Sequence, residues 1–129
     1  MVDVLLILAI LAQPTRATYY DPGLMELVAR NRGLPAYVEP YIGGVALNDC
    51  DTVGQPVWIS WPEDGSITGP YLVIDCPQAG HRAARLSLGL VIEVDAQTAR
   101  SRGFFGLAPA PVSVLWLDPY SMATGFIWR

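Results

Sequence analysis

Asp75 closes an apolar run, Leu72-Val73-Ile74, and is followed at once by Cys76-Pro77-Gln78. A carboxyl in that position has two readings. Partial burial lifts its pKa toward the range of a general acid, or its oxygens serve the turn at Cys76-Pro77-Gln78. A second pair of acids, Glu93 and Asp95, sits in Val91-Ile92-Glu93-Val94-Asp95. Two carboxyls that converge can divide acid and base duties, whereas Asp95 ahead of Ala96-Gln97-Thr98-Ala99 is also an ordinary helix N-cap. Strand alternation sets Glu93 on the face opposite Ile92 and Val94, and the expectation is a solvated side chain.

The other polar candidates are sparse. Asn48 either holds a ligand hydroxyl or makes the local turn into Asp49. His81, the single histidine, is a proton donor or anion contact beside Arg82, or else a surface residue of a short helix. Asp49 and Asp51 flank Cys50, but two loop carboxylates are too few for a hard cation; no metal is expected, and no cofactor. Cys50 and Cys76, the two cysteines, lack the partners of a zinc site. They form a disulfide in an exported protein, worth roughly 3 kcal/mol in the chain-entropy account, or inert buried thiols in a cytosolic one.

The elements that must position these residues are short. Eleven prolines and twelve glycines spread along 129 residues break the chain into many pieces, which favours a β-rich barrel over a helical bundle. Strands are expected at 18–20, 45–47, 57–61, 71–75, 91–94 and 112–117. A helix is expected over 22–32, capped by Asp21 with Pro22 at its first position and Leu24, Leu27 and Val28 on its packed face. Shorter helices fit 81–88 and 96–102, the second stopped by Gly103. Crossovers this short do not make a doubly wound sheet, and a small all-β barrel manages its edges better.

Charge and hydropathy exclude several roles. The net charge is −4 and the arginines fall in spaced pairs such as Arg30/Arg32 and Arg82/Arg85, so no basic stripe is present for DNA or RNA. Residues 4–12 are apolar, too few for a membrane-spanning helix but suited to a signal peptide with Ala17 as a cleavage position. Asp3 and the lack of a preceding Lys or Arg speak against that, and the alternative is a buried N-terminal strand or helix. The chain thus divides into an N-terminal segment at 1–17, one domain at 18–117 and a tail at 118–129.

Taken in order, Val45-Ala46-Leu47-Asn48, Gly54, Val73-Ile74-Asp75-Cys76, Val91-Ile92-Glu93-Val94-Asp95, Gly103 and Pro111-Val112-Ser113-Val114 resemble the double-psi β-barrel of rare lipoprotein A and of expansin and barwin-like proteins. The resemblance implies a small six-stranded barrel over residues 18–117. It implies that Asp75 matches the acid/base Asp of the lytic transglycosylases. The family's His, six residues before the glycine aligned with Gly54, is here Asn48, and its Ile-Asp-Leu-Ser signature is Ile92-Glu93-Val94-Asp95. These departures remove parts of the catalytic set and leave the barrel.

Flat rings stack on sugar faces. Trp58, on the outward face of its strand, and Tyr71, sharing a face with Val73 and Asp75, are candidates for walls of a groove, with core or rim packing as the alternative. The expected function is an exported module that interacts with a glycan polymer such as peptidoglycan, without catalysis. One alternative is a lytic transglycosylase using Asp75 as acid/base. Another is a structural protein of a virion or surface, in which the apolar tail Phe126-Ile127-Trp128 docks on a partner protein. The expected location is secreted or cell-envelope, or cytoplasmic or virion-associated if residues 1–17 are retained.

Overall fold

A computed structural model describes residues 15–116; the apolar run at 4–12 and the tail at 118–129 lie outside the described residues. The elements in order are β1 (Arg16–Tyr19), α1 (Leu24–Asn31), β2 (Gly44–Leu47), a 3-10 turn (Cys50–Thr52), β3 (Pro56–Trp61) and β4 (Ser66–Asp75). They continue with α2 (Ala79–Ser87), β5 (Leu90–Val94), α3 (Ala96–Ser101), β6 (Ala110–Pro111) and β7 (Ser113–Leu115). β1 takes in Arg16 and Ala17, the last two residues of the segment 1–17, and Ala17 is buried in the core. No helix among the described residues is long and apolar enough to cross a membrane.

All strands belong to one mixed sheet in the order β6-β1-β5-β2-β4-β3-β7. β1 runs parallel to β5 and β2 parallel to β4, while the remaining neighbours are antiparallel. The last expected strand, 112–117, is seen as β7, and β6 at Ala110–Pro111 precedes it across Val112, which makes the strand count seven. The residues before Val112 pair with β1 and those after it with β3, so the sheet curls until both of its ends lie on residues 110–115. Curling hides the edges that a flat sheet would leave open.

Inside the curl, alternate residues meet: Val45 and Leu47, Val57 and Ile59, Tyr71 and Val73, Ile92 and Val94. A second cluster forms outside it, where Met25 and Ala29 of α1 cover Leu72 and Ile74. Residues 71–74 are therefore buried on both faces, which explains why that run is continuously apolar.

Three sequence expectations change here. α1 begins at Leu24, and its N-cap is Gly23 at φ 79° rather than Asp21, because Pro22-Gly23 first make a turn that only glycine accommodates easily. Its packed stripe is Met25, Val28 and Ala29, whereas Leu24 and Leu27 are 41% and 46% exposed. Gly44 decides that choice, since a Cβ there would lie 3.2 Å from Met25 Cγ and 3.0 Å from Ile74 Cδ1. β4 also starts earlier than expected, at Ser66, since β3 and β4 form a hairpin whose Gly69 and Pro70 lie inside the strand. α3 follows expectation, with the Asp95 carboxylate accepting from Thr98 N at 2.7 Å.

Candidate functional site

Asp75 owes its direction to a register shift. Val45 pairs with Val73, and the next residue of β2, Ala46, pairs with Asp75. Ile74 is the extra residue, and such a bulge re-aims the side chain next to it. Strict alternation would have put Asp75 with Tyr71 and Val73 on the core face. It points outward instead, and the shared face expected for Tyr71 and Asp75 does not form.

Across the outer face the paired residues make a row. Thr18 of β1 stands opposite Glu93 of β5, Glu93 opposite Ala46 of β2, and Ala46 opposite Asp75 of β4. The two acids are two strands apart, about 10 Å between their backbones. Tyr20, just past the end of β1, reaches across and donates its hydroxyl to Asp75 at 2.7 Å. Arg32, immediately after α1, pairs with the same carboxylate at 2.9 Å, and Cys76 N donates to it at 2.9 Å. The bond from Cys76 N is the turn contact expected of Asp75.

Glu93 is half-buried rather than solvated, and Arg85 of α2 pairs with it at 2.9 Å. The same guanidinium donates to the Asn48 side-chain oxygen at 3.1 Å, while the Asn48 amide donates to Leu90 O at 2.8 Å. Asn48 thus ties β2 to α2 and β5, and does not turn back on Asp49. Asp49 instead accepts from Asp51 N and caps the 3-10 turn. The Cys50–Cys76 disulfide fastens that turn to the residue after Asp75.

Burial pushes the Glu93 carboxyl above its ordinary value; Arg85 opposes this and the charge of Asp75 adds to it. Burial, then the hydrogen bond to Asp75, pushes the Tyr20 hydroxyl far up, so it remains a donor at any moderate pH. The Thr18 hydroxyl, next in the row, is buried and has no hydrogen-bond partner among the described residues. The arrangement offers two carboxyl groups, each in an ion pair with an arginine, and the buried Thr18 hydroxyl.

The remaining sequence candidates lie elsewhere. Tyr71 is buried in the core, its hydroxyl 2.8 Å from Thr68 Oγ1, and it cannot wall a groove at Asp75. Asp95 is 2% exposed and accepts from Tyr37 at 2.7 Å as well as from Thr98. Tyr71 and Asp95 together border a separate recess of about 220 Å3 with Thr98 and Arg102. Trp58 faces outward but packs on Gly69, six residues and about 20 Å of extended strand from Asp75. His81 is exposed in the first turn of α2.

Nothing in the sequence singles out Tyr20, Arg32 and Arg85 for this site. Tyr20 and Arg32 flank α1 and Arg85 lies in α2, and the only signal of the two arginines is negative: they fall in pairs that form no basic stripe. Comparison with family models, with curated proteins and with solved structures finds no match for this chain.

Proposed function

We propose that the chain is a double-psi β-barrel that binds a glycan polymer of the peptidoglycan kind outside the cytoplasm. Counting residues 110–115 as one strand gives six, and exchanging the first three strands for the last three preserves every pairing. β1·β5 becomes β4·β2, β3·β4 becomes the last strand with β1, and the other two pairs map onto themselves. That two-fold pattern supports the resemblance to rare lipoprotein A and the expansins. The disulfide supports an oxidising compartment.

The observation that carries the binding reading is the row Thr18–Glu93–Ala46–Asp75, polar at its ends and interrupted by one small residue. Sugar hydroxyls both donate and accept, and the row presents carboxylates and the guanidinium groups of Arg32 and Arg85. Both acids are held in ion pairs, which suits recognition without turnover.

Lytic transglycosylation is the second reading, favoured by the upward shift of Glu93. There a carboxylic acid protonates the glycosidic oxygen as the C1–O bond breaks. The sugar's own 6-hydroxyl then attacks C1 and passes its proton to the acid/base, leaving a 1,6-anhydro ring. In that reading Asp75 is the acid/base, with Glu93 two strands away on the same face.

Incubation of the protein with purified peptidoglycan sacculi, comparing wild type with Asp75→Asn, separates these. Retention on sacculi without soluble products supports the binding module. Anhydro-sugar release by wild type and its loss in Asp75→Asn supports the enzyme. Absence of both retention and release rejects the glycan reading and leaves a scaffold or assembly role.

A further inference from the structure

Arg82 of α2 is half-buried, and its Nη2 donates to Cys50 Sγ at 3.3 Å. Its Nε is buried with no hydrogen-bond partner, and it makes no ion pair among the described residues. Arg85, three residues on in the same helix, is by contrast matched by Glu93. A guanidinium is costly to withdraw from water without an anion to receive it. What the structure sets against Arg82 is the sulfur of a neutral disulfide.

The surroundings of the two sulfurs differ in sign. Cys50 has the cation, whereas Cys76 follows Asp75, whose carboxylate accepts from Cys76 N at 2.9 Å. Asp49 and Asp51 flank Cys50 and His81 precedes Arg82, but all three are exposed, so water and salt screen them. The Asp49 carboxylate is moreover turned to Asp51 N. A negative charge is therefore better held on Cys50 than on Cys76. Cys50 is exposed and Cys76 half-buried, so the bond lies at the surface.

We propose that Cys50–Cys76 is an exchange-active disulfide, with a dithiol reductant as its substrate and Cys50 as the sulfur that takes the charge. One thiolate of the reductant attacks Cys76 Sγ and bonds to it. The Cys50–Cys76 bond breaks, and its electron pair leaves on Cys50 as a thiolate facing Arg82. The reductant's second thiolate then attacks the reductant sulfur of the mixed disulfide, and Cys76 leaves as a thiolate that takes a proton. The protein disulfide gains two electrons and the dithiol becomes a disulfide. A thiol of low pKa leaves faster, and an adjacent arginine lowers that pKa. Opening the bond gives Arg82 its anion and releases the 3-10 turn from the residue after Asp75. The inference does not rest on the glycan reading, since no sugar takes part.

The test uses the full, oxidised chain in two reactions. Sulfite leaves an S-sulfonate on the sulfur it attacks and a thiol on the other, and peptide mass spectrometry after an acid quench locates both. The S-sulfonate is expected on Cys76, with the thiol on Cys50; this arm needs no variant. Reduction by dithiothreitol is expected to be about fivefold slower in Arg82→Met than in wild type. It is expected to be unchanged in Arg30→Met, which removes the same charge from an exposed position of α1.

An S-sulfonate on Cys76 together with slower reduction of Arg82→Met alone supports the proposal. An S-sulfonate on Cys50, or on both cysteines alike, overturns it. So do equal reduction rates in the three proteins, and a wild-type disulfide that reacts no faster than oxidised glutathione under the same conditions.

Discussion

Asp75 pairs with Ala46 across β4 and β2, one step out of phase with the Val73–Val45 pair before it, and Ile74 absorbs the difference. That single extra residue turns Asp75 from the core face to the outer face, where Glu93 already points. The two acids then sense each other's charge, and Arg85 moderates Glu93.

Glu93 should report this coupling directly. Carboxyl 13C shifts are expected to show it titrating above the ordinary glutamate range. Asp75→Asn removes a like charge and lowers that pKa; Arg85→Met removes the opposing cation and raises it further. Because the folded value lies above the unfolded one, the contribution of Glu93 to stability is complete below the unfolded pKa. It is lost as pH rises through the folded value. Urea midpoints of wild type should therefore fall relative to Glu93→Gln over that window.

The buried tyrosines set the alkaline limit. Burial is the leading cause that raises Tyr20, Tyr37 and Tyr71, with the partner Asp75 or Asp95 adding to the first two. Above about pH 10 the unfolded chain ionises these phenols while the folded chain keeps their protons, so stability falls with rising pH. Phenolate absorbance should appear late and together with unfolding. Tyr20→Phe should leave Tyr37 and Tyr71 late.

Gly69 sits inside β4 at φ 141°, and a Cβ there would lie 2.6 Å from Trp58 Cδ1 and 3.1 Å from the Trp58 backbone. Gly69→Ala combines backbone strain with overpacking and is expected to cost about 2–3 kcal/mol in chemical denaturation. A double variant, Gly69→Ala with Trp58→Ala, should recover only the part due to the ring. A loss below about 0.5 kcal/mol in the single variant would show that the strand shifts freely to make room.

Replacing both Cys50 and Cys76 by Ala opens the 26-residue separation that the disulfide closes. The expected loss is roughly 3 kcal/mol of unfolding free energy, in line with the loop-entropy account. The disulfide fastens the 3-10 turn beside Asp75, so amide exchange should rise at Asp51, Thr52 and position 76 before it rises in β5.

Local physics along the chain is enough for the β-rich class, for the places of most strands and for the capping role of Asp95. β-branched runs between Gly and Pro mark the strands, and an Asp before an alanine-rich turn marks the cap. The inward set Val57, Ile59 and Trp61, with Trp58 outward, is legible for the same reason, because alternation operates within one strand. The disulfide is one of two readings open to Cys50 and Cys76, and the fold selects it by bringing their Cα atoms to 5.1 Å.

Features that span several strands depend on packing in three dimensions. Alternation counted from Val73 puts Asp75 inside, and the bulge that reverses this exists only because β2 pairs beside β4. Leu24 is as apolar as Met25, so periodicity alone does not choose the packed stripe of α1; the space above Gly44 does. The partners of the two outer acids come from the stretch between β1 and β2, Tyr20 and Arg32, and from α2, Arg85, and no spacing along the chain records that a curled sheet brings them to one face.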